Sequence, residues 1–175
     1  MEAVKSKVKL LGYTTSINGE GPEAIVAAAG KLCYSKVGVE EISNKMTEED
    51  IVKFLDLLTN LGHYSPFEHA NFTFGIEGIS RACSHQIVRH RTGKYSQQSQ
   101  RYVDLESTFK IIVPPEIENC PEAIELYEKS VIDDFDAYKN ITEALENKYI
   151  NEGLTTRMAN KKAIEDARFA LPNAC

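Results

Sequence analysis

The first thirteen residues, MEAVKSKVKLLGY, contain no continuous apolar run, because Lys and Glu are scattered among the hydrophobic positions. Neither a signal peptide nor a membrane anchor is expected there, and the expectation is a cytoplasmic protein without a membrane partner. The four cysteines, Cys33, Cys83, Cys120 and Cys175, are far apart and form no CxxC pair. That argues against a disulfide framework and leaves reduced thiols acting as core fillers. No internal repeat, low-complexity tract or long Pro/Gly/Ser linker divides the 175 residues. A single domain over 1–175 with one substantial core is therefore expected. No GxGxxG or Walker loop is present, so any nucleotide must be held in another way.

A local absence is more informative. The chain carries 26 Asp and Glu against 20 Lys and Arg, a net charge of −6, which argues against a nucleic-acid partner. Yet from Gly78 to Val103 there is no Asp or Glu, while Arg81, Arg89, Arg91, Lys94 and Arg101 all fall inside. All four histidines, His63, His69, His85 and His90, lie in this window or just before it. An acidic protein that gathers its arginines in one place has an anion to hold there.

Periodicity predicts strands over Lys7–Thr14 and Phe72–Ile76, the second half-buried, and a third over Tyr102–Val113 stopped by Pro114–Pro115. Helices are predicted over Pro22–Cys33, over Thr47–Leu61 with Thr47 as cap and Gly62 as stop, and from Ser80 towards His90. A long amphipathic helix is predicted over Pro121–Ile150, with Ile124, Tyr127, Val131, Phe135, Tyr138, Ile141 and Leu145 on one face, and a last one over Thr156–Ala170. Helices and strands mix without regular βαβ alternation, so the class is α+β, mixed helices with an antiparallel-type sheet.

The segment RHRTGKYSQQSQRY, Arg89 to Tyr102, places Arg89, His90 and Arg91 at a helix end ahead of a loop of hydroxyls and amides. Gln97, Gln98, Ser99 and Gln100 supply donors and acceptors suited to a pyrimidine edge, and Arg101 a fork that matches phosphate. A solvated basic loop is the plain alternative. Two other functions fit these residues: a non-catalytic nucleotide- or phosphate-binding module, and a metal-dependent hydrolase using the histidines. The spacings His63-x5-His69 and His85-x4-His90 match no common ligand pattern, so no metal is expected. Ser99 has no carboxylate near it in sequence and reads as a hydrogen-bonding group rather than a nucleophile. Glu68 suits either a cofactor edge or an ion pair with an arginine. Arg168, three residues after Glu165, reads by itself as a surface ion pair.

Arg89-His90-Arg91, seven residues and Ser99 resembles the signature of the flavin-dependent thymidylate synthases, with Gln100-Arg101-Tyr102 following in the same style. GHYSPFEHANFTF, Gly62 to Phe74, is similar to that family's upstream segment, and Glu165 to Pro172 resembles a stretch near its C-terminus. The resemblance implies the thymidylate synthase-complementing protein fold and a homotetramer with active sites at subunit interfaces. It implies FAD as cofactor, deoxyuridylate (dUMP) methylated to dTMP, methylene-tetrahydrofolate as carbon donor and NADPH as reductant, without a cysteine nucleophile. Carried over by position, Gln86, Arg89, Gln97, Gln98, Ser99, Gln100, Arg101 and Arg168 would hold dUMP. His63, Ser65, Glu68, Arg89, His90, Arg91 and Gln97 would face FAD, with His63 near flavin and folate. Ser96 and Gln97 stand where many members have Asn and Glu. The resemblance also implies a family tail past Leu171–Pro172, with an Asn-Ala-Arg stretch for FAD and an arginine that activates the uracil, so an incomplete C-terminus is expected.

Overall fold

The computed structural model describes residues 2–100 and 110–175, in two compact units, one of residues 8–76 and one of residues 1–7 with 77–175. Among the described residues are seven α-helices, two 3₁₀ turns and two small two-stranded sheets, an α+β arrangement. No described helix is long and apolar enough to cross a membrane.

In the unit of residues 8–76, helix α1 (Pro22–Tyr34) starts on a proline, whose fixed φ and missing N–H suit the first turn, with Glu23 at its positive end. Its Ala-rich body presents little bulk, and Gly30 lets α3 (Glu48–Asn60) come close: a Cβ there would sit 2.9 Å from the Phe54 ring. Val26, Ala27 and Leu58 are buried in this unit. A full capping box starts α3: Asp50 N–H donates to the Thr47 hydroxyl, and Thr47 N–H donates to the Asp50 carboxylate, at 3.2 Å each. The Thr47 hydroxyl, which donates to the Asp50 carboxylate at 2.8 Å, and after it the Thr47 N–H hold the Asp50 carboxyl below the usual range. Gly62, at φ +70°, turns the chain out of the helix as expected. Between α1 and α3 lies α2 (Val39–Lys45), which periodicity did not anticipate.

Strand β2 (Lys7–Tyr13) pairs with β3 (Phe72–Glu77). Thr14 N–H donates to Asn71 O at 2.9 Å, Tyr13 faces Phe72, and Lys7 reaches Glu77, so one index falls as the other rises. This pair is antiparallel. The expected half-burial of Phe72–Ile76 is not found: Phe72, Phe74 and Ile76 are all exposed, with Leu11 and Tyr13 exposed on the facing strand. Strict alternation reports a two-faced strand, but it does not supply the layer that would cover the apolar face.

In the other unit, β1 (Glu2–Ala3) and β4 (Lys110–Ile111) pair in parallel, Glu2 opposite Lys110, so the antiparallel expectation holds for only one of the two sheets. Of the strand expected over Tyr102–Val113, only Lys110–Ile111 is strand among the described residues, and 102–109 lie outside them. Pro114 and Pro115 do stop β4, but they also start a one-turn helix, α5 (Pro115–Glu118). Helix α6 (Pro121–Asn151) packs along α7 (Thr156–Ala167), the chain turning at Gly153 with φ +95°. Tyr138, Ile164 and Ala167 are buried together, and Val131 is buried with Ile111 and Ala174. Each fully buried valine or isoleucine of this kind contributes about 1.5–3 kcal/mol.

The expected apolar face of α6 shifts near its middle. Ile141 is exposed and Thr142 is buried in its place, its hydroxyl satisfied by donating to Tyr138 O at 2.8 Å. The helix period drifts against a fixed stripe, and a hydroxyl that can bond back along the helix tolerates the inward position. Helix α4 is also shorter than expected. It spans Arg81–Ile87, capped by Ser80, so Arg89, His90 and Arg91 follow the helix rather than ending it. Cys33 and Cys83 are exposed, which corrects their reading as core fillers, while Cys120 and Cys175 are half-buried.

Candidate functional site

The expected site residues fall in both units, and each group is built locally. In the unit of residues 8–76, the 3₁₀ turn Ser65–His69 is anchored by buried Pro66. Its near-threefold period puts Ser65 and Glu68 on one edge, and both are exposed. His63, just after Gly62, is held from two sides: its N–H donates to Leu58 O at 2.9 Å, and its Nδ1 shares a 2.9 Å hydrogen bond with Tyr34 Oη. The two rings also stack, with centroids 6.1 Å apart and planes 11° from parallel. Tyr34 lies 29 positions upstream, at the end of α1, and no local signal marks it. An apolar cavity of about 570 Å³ in this unit, lined in part by Ile25, Ala29, Leu32, Ile42 and Met46, contains none of the expected residues.

In the other unit, the Arg89–Gln100 segment folds back on α4. Arg89 N–H donates to Gln86 O at 3.2 Å, His90 N–H to Ile87 O at 3.1 Å and Gly93 N–H to His90 O at 3.1 Å, so the chain leaves the helix through tight turns. Tyr95 closes the loop by donating its hydroxyl to His90 O at 3.0 Å. Gly93 leaves room for it, since a Cβ there would meet the Tyr95 ring and make it shift. Gln97 is tied to α4: its Nε2 donates to Ser84 Oγ at 2.7 Å. Gln100 donates to Cys175 Sγ at 3.7 Å, and the C-terminal residues are themselves tied to α4, with Arg81 N–H shared between the carbonyls of Asn173 and Cys175. Burial pushes the Cys175 thiol up, opposed by its backbone hydrogen bond and by Arg81.

Gln86, Arg89, His90, Arg91, Gln97 and Gln98 are exposed, and Ser99 and Gln100 are half-buried. Arg101 lies outside the described residues. Every ion pair among the described residues uses a lysine, so neither Arg89 nor Arg91 spends its charge on a carboxylate there. Glu68 likewise makes no ion pair among them. Arg168 does not form the ion pair with Glu165 that its spacing alone suggests. Its Nε donates instead to the Glu165 carbonyl at 3.0 Å, with the guanidinium 5.8 Å from the Phe169 ring, because a 3₁₀ turn (Arg168–Ala170) takes over from α7 at that residue. No group of three His, Cys, Asp or Glu among the described residues could hold a metal ion.

Arg89 and Arg91, exposed and without a carboxylate partner among the described residues, stand in one segment with the amides of Gln97 and Gln98, groups whose chemistry suits an anion and a polar ring edge. The chain is 51% identical over 169 residues to a flavin-dependent thymidylate synthase of Clostridium tetani, covering 97% of this chain and 66% of the relative. It is 43% identical to the protein of that description from Geobacter sulfurreducens, covering 96% and 64%, and 35% identical to that from Pyrococcus furiosus, covering 96% and 62%. The chain thus spans about two thirds of the length of these relatives. Among solved structures, the UMP/dUMP methylase PolB from Streptomyces cacaoi, bound with 5-Br UMP, shares the fold at a TM-score of 0.66 and 19% identity, covering 99% of this chain and 69% of that one. A family model described as thymidylate synthase complementing protein matches residues 9–175, nearly the whole chain, and to that family this chain belongs.

Proposed function

We propose that this chain methylates dUMP to dTMP, or forms the larger part of an enzyme that does, with methylene-tetrahydrofolate as carbon donor and NADPH as reductant. Family membership supports this reading, as do relatives described as flavin-dependent thymidylate synthases. The observation that carries it is the pair Arg89 and Arg91, exposed and without a carboxylate partner among the described residues, next to the amides of Gln97 and Gln98. In the proposed roles, Gln86, Arg89, Gln97 to Arg101 and Arg168 hold the nucleotide. Guanidiniums grip its phosphate, and amides hydrogen-bond the uracil and stabilise charge that develops on it.

The residues present fit FAD. A dinucleotide needs cations for its pyrophosphate and mixed donors and acceptors for its ring and ribityl hydroxyls. Arg89 and Arg91 supply the first, and Ser65, Glu68, His63, His90 and Gln97 the second. FAD, when bound, supplies the hydride relay between NADPH and the nucleotide. His63, held by Tyr34, stands toward flavin and folate in this reading. Both units serve one functional domain over 1–175, in a cytoplasmic homotetramer with interfacial sites.

The test is a turnover assay with each component withheld in turn, alongside the visible absorption spectrum of the purified protein. Product that requires FAD, NADPH and methylene-tetrahydrofolate together is the expected outcome. Thymidylate formed without any flavin would overturn the reading.

A further inference from the structure

Ser84 is 8% exposed, one of two buried polar side chains among the described residues, and the other, Thr142, serves α6 alone. A hydroxyl has a single proton to donate. Ser84 gives it to Arg81 O, at 2.9 Å, within α4. With that proton committed, Oγ can only accept, and it accepts from Gln97 Nε2 at 2.7 Å. The Gln97 amide is thereby oriented: nitrogen to Ser84, carbonyl Oε1 turned away from it. Rotating the amide by half a turn would set Oε1 against an oxygen lone pair, or force the hydroxyl to abandon the Arg81 carbonyl.

We propose that Ser84 is a positioning residue that fixes Gln97 as a hydrogen-bond acceptor towards the ligand, and that the group read there is an imide N–H flanked by two carbonyls. This rests on the reading given under Proposed function. Uracil and the isoalloxazine ring both carry such an imide. A cytosine ring presents an unprotonated nitrogen in the equivalent place, so two acceptors would face each other. The Ser84–Gln97 pair therefore selects uracil nucleotides against cytosine nucleotides if the imide is that of the nucleotide, and contributes to flavin affinity if it is that of the cofactor.

The experiment compares the wild-type chain with Ser84→Ala and Ser84→Thr, checking first that melting temperatures match. In the ligand-free, isotope-labelled protein, the Gln97 side-chain amide protons should be protected from solvent exchange in wild type and Ser84→Thr, and unprotected in Ser84→Ala. Titrations with dUMP, dCMP and FAD then read the ligand side. In Ser84→Ala one imide ligand should weaken about three- to tenfold, the value of one neutral hydrogen bond, and Ser84→Thr should restore it. Loss of dUMP affinity with a narrowed preference over dCMP assigns the imide to the nucleotide, whereas loss of FAD affinity alone assigns it to the cofactor. An unprotected Gln97 amide in wild type overturns the proposal. So does a wild type whose affinities for dUMP and for FAD both equal those of Ser84→Ala, with the same dUMP-to-dCMP ratio; that result leaves the functional reading standing. A protected amide in a chain that binds neither dUMP nor FAD overturns both.

Discussion

Tyr34 and His63 show how a single residue gains its role from a partner remote in sequence. The imidazole is exposed, yet it is held by its own backbone N–H, by a ring stack and by the 2.9 Å bond to Tyr34 Oη. Fixing one ring nitrogen decides whether the other donates or accepts. Tyr34→Phe keeps the stack and deletes only that bond. Because both rings are exposed, the melting temperature should barely move, while turnover should fall about three- to tenfold, the worth of one such bond in orienting the ring. Steady-state kinetics beside a thermal melt check this, and unchanged turnover would remove His63 from the reacting centre. Arg168 teaches the opposite lesson. An i,i+3 spacing with Glu165 invites an ion pair, but the side chain turns to the Glu165 backbone carbonyl.

At the scale of elements, β4 and the start of α6 are joined through Tyr127, whose hydroxyl donates to Ile112 O. Burial raises the Tyr127 pKa above its ordinary value of 10.0, with the Cys175 thiol adding to the effect. Cys175 is itself raised by burial, and it belongs to the segment whose Ala174 carbonyl accepts from Ile112 N–H at 2.9 Å. Both groups are thus neutral in the fold at a pH where the unfolded chain would ionise them. Their contribution is fully present below the unfolded values and is lost as pH rises through the folded ones. Stability should therefore fall as pH climbs through the ordinary range of Cys and then Tyr, and Tyr127→Phe should flatten the upper part of that fall. Chemical denaturation across alkaline pH measures it, and an identical slope in the variant would show that Tyr127 is not the group responsible.

The whole molecule carries an excess of negative charge and an apolar surface that its own described residues leave uncovered. Tyr13, Phe72, Phe74 and Ile76 lie on β2 and β3, each between 44% and 53% exposed, with the Tyr13–Phe72 and Phe72–Phe74 ring centroids 6.4 Å apart. A contiguous apolar patch of this kind is characteristic of an association surface. The proposed homotetramer gives it something to cover it. Light scattering on the purified chain should report a mass above that of the monomer, and Phe74→Glu should lower it. A wild-type chain that stays monomeric at all concentrations would remove the tetramer from the proposal.

Most element positions are legible in the linear sequence, since caps, prolines and apolar spacing act over a few residues: Pro22 starts α1, Thr47 caps α3, and α6 begins at Pro121. The sequence also marked the Arg89–Gln100 segment, because a carboxylate-free window in an acidic chain and a motif of fixed spacing are both linear features. What it could not supply was pairing across distance. The Tyr34–His63 bond, the Ser84 hydroxyl that orients Gln97, the hold of Asn173 and Cys175 on Arg81 and the substitution of Thr142 for Ile141 on the buried face all depend on which side chains meet. Those meetings are decided by how helices and loops remote in sequence pack, which brings each donor within reach of its acceptor whether the pair ends up buried or exposed.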